Sequence, residues 1–190
     1  WHIYGGNRLT GSTRVQGAKN AVLPIMAASV LSGGETVLHN VPDLRDVTTT
    51  LRILQHLGCT AVRDGDTVRI DSRGMHCDFI PHALMRELRS SVIFLGAILA
   101  RFGTARLSMP GGCELGPRPV NLHLDALRAL GAEVTERGGD IICRAHALQG
   151  RRILLPFPSV GATENAMLAA CAAAGETVIC NAARSPKSEA

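Results

Sequence analysis

The sequence predicts an α/β fold (in the broader α+β sense) built from internal βαβαββ repeats, on three observations. An Ala/Leu-rich helix that stops at glycine and runs into a β-branched strand occurs three times. An amphipathic helix followed by a two-stranded hairpin occurs twice. Of the 190 residues, 46% are apolar, enough to fill one shared core.

The elements follow in order. The first helix and strand read Ile25-Met26-Ala27-Ala28-Ser29-Val30-Leu31, then Gly34-Glu35-Thr36-Val37-Leu38-His39-Asn40. They recur as Phe94-Leu95-Gly96-Ala97-Ile98-Leu99-Ala100 with Gly103-Thr104-Ala105-Arg106-Leu107, and as Met167-Leu168-Ala169-Ala170-Cys171-Ala172-Ala173 with Gly175-Glu176-Thr177-Val178-Ile179-Cys180-Asn181. The second helix places Val47, Leu51, Leu54 and Leu57 on one face before Gly58, and Val120, Leu124, Leu127 and Leu130 on one face before Gly131. Hairpin strands follow at 59–63 and 67–71, and again at 132–136 and 141–144. Incoming strands at 14–16 and 152–155 complete the unit. The repeats run about 19–71, 78–145 and 152–190, the last incomplete, behind a leading segment 1–18. A single unit cannot bury its own apolar face, so the copies should pack around a common axis. The nearly all-apolar first helices should face inward and be buried on every side.

Composition excludes several classes. Charged residues make up 19%, too apolar a chain for disorder or a coiled coil. The net charge of +4 suits anionic ligands, yet no dense basic tract and only six aromatics argue against nucleic acid as a partner. Apolar runs reach about ten residues, half of what a membrane span needs. No basic-then-apolar start suggests secretion. Six cysteines without CxxC or Cys/His spacing suggest neither a metal site nor a disulfide scaffold, and a reducing cytoplasm fits them.

Departures from the repeat mark candidate chemistry. From Pro42 to Gly58 the chain takes 16 steps, from Pro110 to Gly131 it takes 21, so the second copy carries a five-residue insertion. The loop Pro110-Gly111-Gly112-Cys113-Glu114-Leu115-Gly116-Pro117-Arg118-Pro119 excludes regular structure. Its Cys113 is either a reactive thiol, favoured by Arg118, or an incidental one. Cys59, Cys143, Cys171 and Cys180 read as small core residues. The starts of the first helices, at Lys19-Asn20, near Arg89 and at Ser159-Val160-Gly161, offer free N–H groups and partial positive charge to phosphates or carboxylates. The alternative there is ordinary capping by Asn20, Ser90 and Thr163. Lys19 is one of only two lysines against 18 arginines.

Gly17-Ala18-Lys19-Asn20-Ala21-Val22-Leu23-Pro24, the cysteine loop continuing into Val120-Asn121-Leu122-His123, and Pro158-Ser159-Val160-Gly161-Ala162-Thr163-Glu164-Asn165 closely resemble the enolpyruvyltransferases, in their UDP-N-acetylglucosamine 1-carboxyvinyltransferase branch. The resemblance runs in order along the chain. It implies an inside-out α/β prism. It also implies transfer of the enolpyruvyl group of phosphoenolpyruvate to the 3-hydroxyl of UDP-N-acetylglucosamine without a cofactor, the first committed step of peptidoglycan synthesis. By position, Lys19 and Asn20 match the phosphoenolpyruvate contacts. Arg89, Arg118, Pro119, Val120, Asn121, Leu122, Ser159, Val160 and Gly161 match nucleotide-sugar contacts. Cys113 matches the cysteine that adds to phosphoenolpyruvate, acts as general acid and is alkylated by fosfomycin. Asn121 departs from the usual Asp. Members are about twice as long, and a second domain supplies the aspartate that deprotonates the sugar, so this chain alone should be inactive. A non-catalytic UDP-sugar-binding module is the alternative; an RNA-end-modifying enzyme of similar repeats is disfavoured by charge and aromatic count.

Overall fold

A computed structural model describes residues 1–6, 8, 10–88, 90–108 and 120–184. Helix α1 (Lys19–Ala28) passes through a 3-10 turn at Ser29–Leu31 into β1 (Glu35–Leu38). Helix α2 (Arg45–His56) follows, then β2 (Thr60–Asp64) and β3 (Thr67–Asp71). The second copy begins with β4 (Phe79–Ile80) and α3 (His82–Glu87), then a 3-10 turn at Ser91–Ile93, α4 (Phe94–Phe102) and β5 (Thr104–Ser108). It closes with α5 (Asn121–Ala129), β6 (Glu133–Arg137) and β7 (Asp140–Arg144). The third contributes β8 (Arg152–Leu154), α6 (Val160–Ala170) and β9 (Val178–Cys180).

Each repeat builds its own sheet. The orders are β1-β3-β2, β4-β5-β7-β6 and β8-β9. Both hairpins turn over two residues, Gly65-Asp66 and Gly138-Gly139, and pair antiparallel in matching register, Asp64 with Thr67 and Arg137 with Asp140. Strand β4 lies parallel to β5, and β8 parallel to β9, as a helical crossover between them requires. The α/β class and the repeat are therefore as the sequence predicts.

The core lies among the helices. Helix α4 packs against both α1 and α6, and its residues 94–99 are all buried. Val47, Leu54, Leu57, Leu127 and Leu130 are fully shielded from solvent, so the predicted amphipathic faces are the buried ones. Each such side chain contributes on the order of 1.5–3 kcal/mol of apolar transfer energy. Helix α4 stops at Gly103, which takes the left-handed conformation (φ 71°) and returns its N–H to Leu99 O. Among the described residues no helix is long and apolar enough to cross a membrane.

Four expectations are corrected. Residues 14–16 form no strand: Val15 is 84% exposed, and these residues make no ladder with β1, so neither burial nor hydrogen bonding holds them extended. The helix start expected at 86–91 divides into α3, where Leu84 and Met85 reach the core, and a 3-10 turn leading to α4. Burial on every side holds for residues 94–99 of α4 and not for the neighbouring helices, where Ile25 of α1 and Met167 of α6 are 41% and 44% exposed. Capping falls to Ser159, whose Oγ accepts the Ala162 N–H at 3.4 Å, whereas Thr163 Oγ1 donates back to Ser159 O, Ser90 makes no cap bond, and Asn20 sits inside the first turn.

Candidate functional site

Helix α1 opens at Lys19 behind an extended Ala18 that offers no side-chain cap. The N–H groups of Lys19 and Asn20 and the partial positive charge of the helix start are therefore offered to an anion, while the Ala21 N–H donates to Ala18 O. The Lys19 ammonium pairs with the Asp46 carboxylate in the first turn of α2, which also sets a negative charge at the positive end of that helix. The pair is half exposed and fixes the lysine over the α1–α2 contact. Asn20 is exposed and makes no side-chain hydrogen bond among the described residues.

A second group forms where α5 packs on α6. Val120 is buried just before α5, Asn121 is exposed as its first residue, and Leu122 is half-buried. Ser159, Val160 and Gly161 form the start of α6. The two starts meet through His123, whose ring carbon Cε1 lies 3.1 Å from the place a Cβ on Gly161 would occupy. Two helix N-termini side by side gather backbone donors and positive potential, which fits a polyanion such as a diphosphate. The structure thus brings the start of α5, which carries Asn121 and Leu122, to the start of α6 through the approach of His123 to Gly161. No hydrogen bond or ion pair among the described residues joins Lys19 or Asn20 to that group. Arg89, Cys113, Arg118 and Pro119 lie outside the described residues.

The other thiols are differentiated by burial. Desolvation pushes Cys59 up to about 11 and Cys143 up to about 12, which leaves both as inert thiols at neutral pH. Cys77 points its Sγ at Phe79 O, 3.4 Å away. Cys171, expected in the core, is exposed at the end of α6, and Cys180 is only half-buried. Cys171 lies one turn beyond Met167, on the exposed face of α6. Among the described residues no group of three or more His, Cys, Asp or Glu could hold a metal ion. Two surface grooves, of about 390 and 440 Å³, contain none of the predicted site residues.

No repeat or spacing in the sequence points to a role for His123 or Asn165. Asn165 is fully buried in the middle of α6, and the available signal was an amide inside an otherwise apolar run, since a buried amide must find partners.

Comparison with known proteins gives consistent results. The family model described as EPSP synthase (3-phosphoshikimate 1-carboxyvinyltransferase) matches residues 3–190. UDP-N-acetylglucosamine 1-carboxyvinyltransferase 2 of Caldanaerobacter subterraneus subsp. tengcongensis is 48% identical over 187 residues, covering 98% of this chain and 45% of the relative. The UDP-N-acetylglucosamine 1-carboxyvinyltransferase of Halorhodospira halophila is 48% identical over 186 residues, covering 97% and 44%. The chain thus spans a little under half the length of these relatives. Among solved structures, the enolpyruvyl transferase NikO from Streptomyces tendae superposes with a TM-score of 0.83 at 25% identity, over 97% of this chain and 44% of that one. EPSP synthase from Acinetobacter baumannii gives 0.70 at 20% identity, over 94% and 42%, a likeness of fold.

Proposed function

Because the chain belongs to the EPSP synthase (3-phosphoshikimate 1-carboxyvinyltransferase) family, we propose that it is the cysteine-bearing part of an enzyme that transfers the enolpyruvyl group of phosphoenolpyruvate to the 3-hydroxyl of UDP-N-acetylglucosamine, releasing phosphate. The observation that carries this reading is 48% identity, over nearly the whole chain, to relatives named for that reaction. The cysteine-bearing insertion supports it, as does the joint N-terminus of α5 and α6, a fit for a nucleotide diphosphate.

The residues divide the chemistry as follows. Cys113 delivers its proton to the methylene carbon of phosphoenolpyruvate. The neighbouring carbon, made electron-poor, bonds to the 3-oxygen of the sugar, whose proton leaves to a base. Loss of phosphate and of a proton from the newly formed methyl group then restores the carbon–carbon double bond, now as an enol ether of the sugar. Cys113 also serves as the site of a covalent adduct. Charge develops at a centre flanked by a phosphate and a carboxylate, and fixed cations stabilise it without reorganisation. Lys19 suits the phosphate as a compact ammonium already held in place by Asp46. Asn20 adds an amide beside it. Arg89, Arg118 to Leu122, and Ser159 to Gly161 hold the nucleotide sugar, with Asn121 contributing its backbone.

In this reading residues 1–18 belong with a second domain, residues 19–190 form the cysteine-bearing domain, and the base that receives the sugar proton comes from the second domain. The setting is the cytoplasmic start of peptidoglycan synthesis, serving cell-wall biogenesis, shape and division. The chain by itself is then inactive, and a non-catalytic UDP-sugar-binding module is the second reading, supported by the two helix starts of the α5–α6 group, both of which lie in this chain.

The test measures phosphate release from phosphoenolpyruvate and UDP-N-acetylglucosamine by the chain alone and by the chain joined to the remaining part of the Halorhodospira relative. Turnover by the joined protein, with binding and no turnover by the chain alone, supports the assignment. Neither turnover nor nucleotide-sugar binding in either form would overturn it.

A further inference from the structure

One side chain ties together three segments that carry the proposed nucleotide-sugar residues. Asn165 Oδ1 accepts the Gly96 N–H at 2.6 Å, its Nδ2 donates to Val92 O at 3.2 Å, and the same Nδ2 lies 3.1 Å from His123 Nδ1. Val92 and Gly96 stand four residues apart, the spacing at which a continuous α-helix would bond them directly. Here the 3-10 turn gives way to α4 only at Phe94, and the Asn165 amide is spliced in as a surrogate peptide. Glycine is required at 96, because a Cβ there would collide with Asn165 O and Oδ1.

The backbone fixes which way the amide points, since an N–H must meet oxygen and a carbonyl must meet the NH₂. Both Nδ2 hydrogens are then committed, one to Val92 O and one to His123 Nδ1. His123 accepts at Nδ1 and so carries its ring proton on Nε2. That ring is the body against which Gly161 packs, with Nε2 3.4 Å from the position of a Gly161 Cβ.

We propose that Asn165 is a positioning residue for the nucleotide-sugar subsite, an inference that rests on the functional reading above. It holds Val92, three residues beyond Arg89, against the middle of α6, and through the oriented His123 it sets the starts of α5 and α6 against each other. It touches no ligand itself. Its influence falls on nucleotide-sugar binding and not on the Lys19 end of the molecule, which is held by a separate ion pair.

The test is calorimetric titration of the chain with UDP-N-acetylglucosamine, comparing the native protein with Asn165→Asp. Aspartate keeps the shape and still accepts from Gly96, but it turns an oxygen onto Val92 O and cannot donate to His123. A loss of affinity of about tenfold, the size expected from leaving one buried polar group unpaired, in protein of native circular dichroism is the expected result. Unchanged affinity overturns the inference and leaves the functional reading standing. If the native chain alone does not bind, the same comparison is made in the joined protein, and absence there of both binding and turnover overturns that reading, and the inference with it. If Asn165→Asp does not fold, the ring ¹⁵N shifts of His123 in the native chain decide, with His123→Gln identifying the signal. A proton on Nε2 supports the splice, and a proton on Nδ1 overturns it.

Discussion

Asn40 and Asn181 close corresponding strands of the first and third repeats, and both hold the left-handed backbone at φ 57°. They are the two non-glycine residues with positive φ among those described. The chain leaves β1 and β9 by the same turn. That conformation costs most residues on the order of 1–2 kcal/mol, and asparagine less. Asn40→Ala should therefore lower stability by about 1 kcal/mol, or about 2–4 °C in Tm. Asn181→Ala should cost more, because its Nδ2 also donates to Leu155 O at 3.0 Å. Asn40→Gly should be close to neutral. Thermal melts of the three variants check the order.

Much of this arrangement is legible in the sequence because repetition doubles each signal. Gly58 and Gly131 end equivalent helices and share φ 97°, and the periodic leucines before them are buried as expected. The features the sequence does not reveal lack a second copy or a local signal. Strand β4 has two residues and α3 only six, too short for any periodicity to emerge. The exposure of Cys171 depends on what packs across α6, a tertiary fact. In the candidate site, the approach of His123 to Gly161 follows from the packing of α5 on α6, which spacing along the chain does not encode.

Thiol reactivity should separate into classes. Burial holds Cys59 and Cys143 as un-ionised thiols, while Cys171 is exposed. At pH 8 a general alkylating reagent should label Cys171 and leave Cys59 and Cys143 untouched in the folded chain. The epoxide fosfomycin, which needs an activated thiolate and a phosphate-binding site, should label Cys113 ahead of Cys171. Peptide mass mapping after timed labelling measures both. Equal labelling of Cys113 and Cys171 by fosfomycin would remove the special role proposed for Cys113.

Acid sensitivity should concentrate in two carboxylates. Asp140 accepts from Ser108 Oγ at 2.8 Å and from Arg106 Nε at 2.7 Å, and Arg106 lies 4.5 Å from the Phe79 ring centroid, so β4, β5 and β7 are joined there. Asp71 is held down to about 2, chiefly by its hydrogen bonds from Arg73, and Asp140 is lowered by Ser108 and then Arg106. Both release protons more readily folded than unfolded. Their contribution is present above the unfolded value of about 3.9 and is lost as pH falls toward the folded value. The Tm should decline from pH 4 to pH 2, and Asp71→Asn should flatten that decline. A variant curve parallel to the native one would exclude Asp71 as a source.

Lys19 should matter for chemistry far more than for folding. Its pair with Asp46 is half exposed, and exposed pairs contribute about 0–1 kcal/mol. Lys19→Ala should thus shift Tm by no more than about 4 °C. In the joined protein it should reduce turnover of phosphoenolpyruvate by about 10² or more, since a donor aimed at developing charge is worth about 3 kcal/mol. Lys19→Arg should restore stability without restoring rate, because a planar fork does not occupy the place of a compact ammonium. Asp46→Asn supplies the complementary case. It removes the partner and keeps the ammonium, so inorganic phosphate should bind the chain more tightly, while the less constrained Lys19 supports a lower kcat. Parallel melts, phosphate titrations and rate measurements on the three variants distinguish this from a structural role, in which rate would fall only as stability falls.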